Sequence, residues 1–250
     1  MIYEPVIQNF KKNIKAIDKL LVIDEFILDS TIATLEERQA ALQATGIENA
    51  RLIGVNTIAS LKNIRKSSSL KPYYSLVYNQ SVVLLVSYFS SSLHDLFNLA
   101  VTDLYSESVP KSAKKKELKF TIDELQKLKL NLSENIGAVI SEKHSISFQD
   151  MAGVSRAFRE YLEIEIDRDR TVNNIIVMQA CRHAIAHAEQ IYDRKLIHQI
   201  RDCDDRDIQN NIVENEVIQF QPEDIKQGSK SMVEYLDNLK DRLIVAKGNA

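Results

Sequence analysis

The sequence contains no tryptophan, six glycines and four prolines in 250 residues. So few turn-forming residues argue against a fold of many short strands and favour long helices. Two cysteines, Cys181 and Cys203, are too few for a disulfide framework or a cysteine zinc cluster, which fits a reducing compartment. Long apolar runs are also missing. The most apolar stretch, Val82 to Val86, is five residues, far short of a bilayer span. The stretch MIYEPVIQNFKKNIKAIDKL carries charge throughout and lacks a signal-type apolar core. The expectation is a cytoplasmic protein that does not enter the membrane. Positive charge is not in excess either: the net charge is −3, so any nucleic-acid contact has to come from a local patch.

What is present is helical periodicity. Glu4 and Pro5 suit a helix start. Val6, Phe10, Ile14, Ile17, Leu20 and Leu21 then recur at three- and four-residue steps, carrying a helix towards Leu28. Ser30 or Thr31 is placed to cap a second helix that stops at Gly46. A looser third segment runs from Leu52 to Ile64. The polar break Ser67-Ser68-Ser69-Leu70-Lys71-Pro72 is the best internal boundary. Residues 1–70 are therefore expected to form a helical extension, and residues 71–250 the main helical domain.

From Tyr73 to Tyr105 apolar residues lie nearly all round the helix, the pattern of a buried central helix. Ser87, Ser90, Ser91 and Ser92 give it a small-residue face. The connector from Glu107 to Lys119 holds the run Lys114-Lys115-Lys116. It reads either as a solvated loop or as a phosphate-contacting patch beside an active site. Thr121 or Asp123 caps a predicted helix reaching towards Ile140, with His144 a solvated loop histidine beyond it. Another helix is predicted over 147–163 and a long one from Val172 past Ile200. An acidic segment, Asp202 to Asp207, and an extended piece at Val217 to Phe220 follow. Gln221-Pro222-Glu223-Asp224 opens a last helix whose core face is Ile225, Met232, Leu236, Leu239 and Leu243. The fold class is all-α.

The chemistry concentrates between Thr171 and Ile200, which holds three of the five histidines. Its centre is Arg182-His183-Ala184-Ile185-Ala186-His187, and three readings compete for it. In the structural reading these are surface or satisfied core groups. In the metal reading His183 and His187, at i and i+4, present two imidazoles on one helix face, with Asp193, Asp204 or Asp205 as a third ligand. The third reading is RNA cleavage without a metal. The ribose 2′-OH is the nucleophile; histidine moves protons near neutrality, and arginine's planar fork matches a phosphate. On a regular helix Arg182 and His187 point roughly 140° apart. Two copies about a two-fold would bring both Arg–His sets to one seam, with Ala184, Ala186 and Ala188 permitting close approach.

The hexapeptide from Arg182 to His187 resembles the R-x4-H signature of the HEPN superfamily, in which Asn, Asp or His is preferred straight after the arginine. The helical order around it agrees, over about 75–245 and most strongly over 146–200. The resemblance implies a HEPN-like helical bundle that dimerises, with its active site at the interface. It also implies a metal-independent endoribonuclease of the toxin–antitoxin or abortive-infection kind, with no cofactor, an RNA substrate and an antitoxin or inhibitor protein as partner. By it, His187 is the acid/base, Arg182 stabilises the phosphate, and His183 fills the supporting polar position. Some HEPN toxins carry a tyrosine where this chain has Glu189. The nearest tyrosine, Tyr192, is grouped with Lys114, Lys115 and Lys116 as an expected substrate contact. Other HEPN domains keep the fold without cleaving RNA, so a non-catalytic protein-interaction or RNA-binding module is the alternative.

Overall fold

The computed structural model describes residues 2–44, 50–66, 71–106, 108–114, 116–127, 131–187, 190–208 and 212–248. The chain is all-α. Among the described residues there are nine helices: α1 (Glu4–Ala44), α2 (Ala50–Lys66), α3 (Lys71–Tyr105), α4 (Ile122–Lys127), α5 (Ile136–Lys143), α6 (Met151–Leu162), α7 (Arg170–His187), α8 (Arg194–Ile200) and α9 (Pro222–Gly248). The extended piece expected at 217–220 is reduced to one antiparallel bridge between Ile191 and Val217.

α3 is the centre of the bundle, with α1, α5, α6, α7 and α9 packed around it. Its Val82, Leu85, Phe89, Leu93, Leu96 and Phe97 are fully buried, as the all-round apolar pattern requires. Phe97 meets the rings of Phe148, Phe158 and Tyr161 at 5.4–5.8 Å. Taken whole, the segment Tyr74–Tyr105 is long and apolar enough to cross a membrane by length and composition, which the five-residue run at Val82 understated. Of that apolar window 44% is buried inside the chain, while Leu76, Leu84 and Leu99 are exposed.

The expected break at Ser30 does not occur, and α1 is continuous. No glycine or proline interrupts residues 6–44. Thr31 and Thr34 hydroxyls donate back to the carbonyls of Ile27 and Ser30, which accommodates both inside a helix. Gly46 and the Ser67–Leu70 break lie outside the described residues. The division at residue 70 does not follow the core. Tyr3, Ile7, Phe10, Ile17 and Leu21 are buried in the same cluster as Phe89 and Leu236. Lys11 pairs with Asp237 at 2.9 Å and Lys240 with Glu4 at 3.3 Å, joining the first helix to the last. Only the later part of α1 behaves as an extension. There Ile32 is buried while Phe26 is 70% exposed, and α2, with Ile58 buried, packs chiefly on α1.

The single helix expected from Thr121 to Ile140 is two. α4 starts on a reciprocal cap: the Thr121 hydroxyl accepts from the Glu124 N–H, and the Glu124 carboxylate accepts from the Thr121 N–H. α5 begins only after a turn in which Asn131 accepts from Ser133. α5 lies against α3 at Gly137, where a Cβ would fall on the Asn98 carbonyl oxygen. α6 is capped by Asp150, which accepts from the Gly153 N–H at 2.7 Å, and ends on left-handed Glu163 at φ 55°.

Two adjacent asparagines fix α7 at its start. Asn174 is fully buried. Its amide donates to Asp207 at 3.1 Å and to Ser231 of α9 at 2.9 Å, and its carbonyl accepts the backbone N–H groups of Asp207 and Ile208. Asn173 donates to the Asp205 carbonyl and accepts from Arg168. The acidic segment 202–207 is thus held to α7, with Arg170 pairing with Asp205 and Asp207. α9 matches expectation throughout: Ile225, Met232, Leu236, Leu239 and Leu243 are all buried.

Candidate active site

α7 ends at His187, not beyond Ile200 as its periodicity suggests. The stop is made by tertiary contacts. Gln190 adopts a left-handed conformation, φ 62°, and its N–H reaches the Ala184 carbonyl at 3.3 Å. The Ile218 N–H donates to the Gln190 carbonyl at 2.7 Å, and the Tyr192 N–H to the Glu216 carbonyl at 2.9 Å. Buried Asn79 of α3 ties this turn down, its amide donating to the Gln190 side chain and the Ile218 carbonyl. Asp193 then caps α8, accepting from the Leu196 N–H at 2.7 Å. The chain reverses, and α8 packs back against α7.

The last turn of α7 carries the expected residues. The rings of His183 and His187 lie 5.1 Å apart, and both side chains are exposed. Arg182 is half-buried and has no hydrogen-bond or ion-pair partner among the described residues. It borders two hollows. One is a groove with Val86, Ser87 and Ser90 of the small-residue face of α3. The other is a cleft of about 440 Å³ between α7, the start of α6 and α8, which His183 also lines. His187 lines neither. The angular separation expected between Arg182 and His187 is therefore present: Arg182 faces the cleft, and His187 reaches it only through the ring of His183.

Charge in the cleft is lopsided. Arg168, Arg182 and Lys195 face a single carboxylate, Asp150, which already caps α6. His183 is held below the ordinary histidine range, first by lost hydration, then by the like charges of Lys195, His187 and Arg182; Asp193 opposes them weakly. Because the cation is the disfavoured form, the neutral, proton-accepting imidazole persists to lower pH. In an NMR titration His183 should show a midpoint below about 6.5, moving up in Lys195→Ala. A wild-type midpoint at or above that value would contradict the electrostatic picture.

The other expected contacts fare differently. Tyr192 is 2% exposed and belongs to the core, so its ring offers no face to a substrate. Lys115 lies outside the described residues, as do Ala188 and Glu189. Lys114 is exposed on a turn. Lys116 is ion-paired with Glu160 and sits over the Tyr161 ring, in a separate groove that shares Ser147 and Asp150 with the main cleft. Its charge is thus already answered by a carboxylate. His144 is not a solvated loop residue: its Nε2 is shut off from solvent with no partner among the described residues, and its ring packs on Tyr161 at 5.8 Å. Burial pushes the Cys181 thiol up to about 12, which removes it as a nucleophile. For the metal reading, Asp193 is engaged as a cap and Asp205 by Arg170. Among the described residues no group of three or more His, Cys, Asp or Glu side chains is placed to hold an ion.

No family model, no curated protein and no solved structure matches this chain. The site therefore has to be read from its own residues. Three that matter were passed over in the sequence: Gln179, Arg168 and Lys195. Gln179 was legible, standing at i−3 and i−4 from Arg182 and His183 on one helix face. Lys195 was not, because only the reversal after His187 brings it to the cleft.

Proposed function

We propose that the chain is a metal-independent endoribonuclease of HEPN type, acting as a toxin or anti-phage effector. The observation that carries this reading is the close His183–His187 pair beside an arginine with no partner among the described residues, at the mouth of a cationic cleft in a chain of net negative charge. In the reaction the ribose 2′-oxygen attacks phosphorus and loses its proton to an imidazole. The 5′-oxygen leaves with a proton, and a 2′,3′-cyclic phosphate remains. His187 acts as acid/base, Arg182 stabilises charge on the phosphoryl oxygens, and His183, held neutral, orients and supports His187. A second copy across the exposed end of α7 would supply the complementary acid or base, so the reading includes a homodimer. A non-catalytic RNA-binding module is the second reading, favoured by the position of His187 outside the cleft that Arg182 lines.

The deciding experiment incubates purified protein with mixed RNA in EDTA and analyses the ends of the products. Cleavage leaving 2′,3′-cyclic phosphates is expected. Intact RNA with a dimeric protein free of any co-purified inhibitor would sink the proposal. Cleavage abolished by EDTA would transfer the site to the metal reading.

A further inference from the structure

The cleft beside Arg182 has a property the catalytic reading does not use. Gln179 is 6% exposed and lines the cleft wall, and its amide nitrogen, closed to solvent, has no partner among the described residues. A buried amide left without a partner is costly and uncommon, so its place beside an open cleft points to something that binds there. The groups around it are chiefly donors. Lys195 of α8 is exposed and has no hydrogen-bond or ion-pair partner among the described residues. Arg168 is anchored through Nε to Asn173 and through Nη2 to the Cys203 sulfur. That anchoring leaves its Nη1 without a partner among the described residues. The first turn of α6, at Met151 and Ala152, also borders the cleft. Helix N-termini favour anions. The nearby carboxylate, Asp150, accepts from the Gly153 N–H and the Ser147 hydroxyl. What fits is an anion with several acceptor oxygens.

We propose that this cleft, walled by Gln179, Lys195, Arg168 and the start of α6, is a phosphate subsite that holds the RNA backbone one position away from the scissile phosphate at Arg182. The naming of RNA as the ligand rests on the nuclease reading; the anion site itself does not. A volume of about 440 Å³ is in the range of small-ligand sites and admits a nucleotide unit. Holding the neighbouring phosphate positions the chain without taking part in bond breaking. Gln179 and Lys195 are accordingly positioning residues.

The test reads binding separately from cleavage. A short fluorescein-labelled 2′-O-methyl oligonucleotide, which lacks the attacking hydroxyl, is titrated with the full chain by anisotropy across a salt series. Lys195→Glu should weaken binding about ten-fold and lower the salt slope by about one, and Gln179→Leu should weaken it about three-fold. Lys127→Glu, a surface lysine change on α4 away from the cleft, serves as the control for net charge. Equal effects of Lys195→Glu and Lys127→Glu would overturn the subsite. AMP and inorganic phosphate are titrated in parallel. Lys195-dependent binding of AMP with Lys195-independent binding of the oligonucleotide would overturn RNA as the ligand. Lys195-dependent oligonucleotide binding by a protein that cuts no RNA would keep the subsite and remove the nuclease. Cleavage with unchanged affinity and cut sites in Lys195→Glu would do the reverse.

Discussion

His187→Ala should lower the single-turnover rate of RNA cleavage by about 10³-fold, and Arg182→Ala by about 10²-fold, with neither variant changing the fold. The first figure is the usual contribution of a positioned acid/base group. The second is that of a donor aimed at developing phosphoryl charge. Both substitutions are structurally mild. His187 is exposed at a helix end, and Arg182 has no partner among the described residues whose loss would unsettle the bundle. Thermal unfolding should therefore coincide with wild type, which separates chemistry from folding. Arg182→Lys keeps a charge but not the fork, and should recover only part of the loss. The double variant should fall little below the worse single one, because groups acting on one transition state are not additive. Either single variant cutting RNA at the wild-type rate would remove that residue from the mechanism.

Asn174→Leu should cost about 4 kcal/mol of stability, among the larger effects expected of a single substitution. Leucine is similar in size, so little of this comes from packing. The cost comes from what is left behind. The Asp207 carboxylate and the Ser231 hydroxyl each lose a donor, and the backbone N–H groups of Asp207 and Ile208 lose their acceptor. Gln227 still donates to the same Asp207 oxygen, which limits the damage to that group. For a chain of this size the change corresponds to a melting temperature lower by about 10 °C. Asn174→Asp should be no better, since it places a second carboxylate against Asp207. A melting temperature within about 2 °C of wild type in Asn174→Leu would show that this network contributes little.

How much of this could be read from the residues follows from the range of the forces involved. The all-α class, the buried central helix and the core face of α9 were legible because composition and 3.6-residue periodicity are local. The hexapeptide at 182–187 was legible for the same reason. The interruptions were not. The sequence after His187 contains no glycine or proline until Pro222. Its reversal depends on Gln190, Ile218 and Asn79, which are far apart in the chain. Had the helix continued, Lys195 would stand roughly 18 Å along the axis from His183 and could not share a cleft with it. The lysine run misled in the opposite direction. Lys114 to Lys116 reads as a positive patch in sequence, but Lys116 is answered by Glu160, 44 residues later. Ser30 and Thr31 carry a capping signal that α1 runs through, the Thr31 hydroxyl bonding back to the Ile27 carbonyl and the Ser30 carbonyl accepting from Thr34.

The pairing of α1 with α9 has a consequence for synthesis. Lys11 meets Asp237 across 226 residues, and Glu4 meets Lys240 across 236. Phe10 and Tyr235 both meet the ring of Phe89, at 6.0 and 5.8 Å. A ribosome releases α1 first, when its buried face has no complete surface to settle on. Closing so long a loop precedes the reward of the contacts that it permits. The core is therefore finished only after α9 emerges, and until then Tyr3, Ile7 and Phe10 stay apolar and uncovered on the nascent chain. That makes the start of α1 the stretch where a chaperone would find the growing polypeptide.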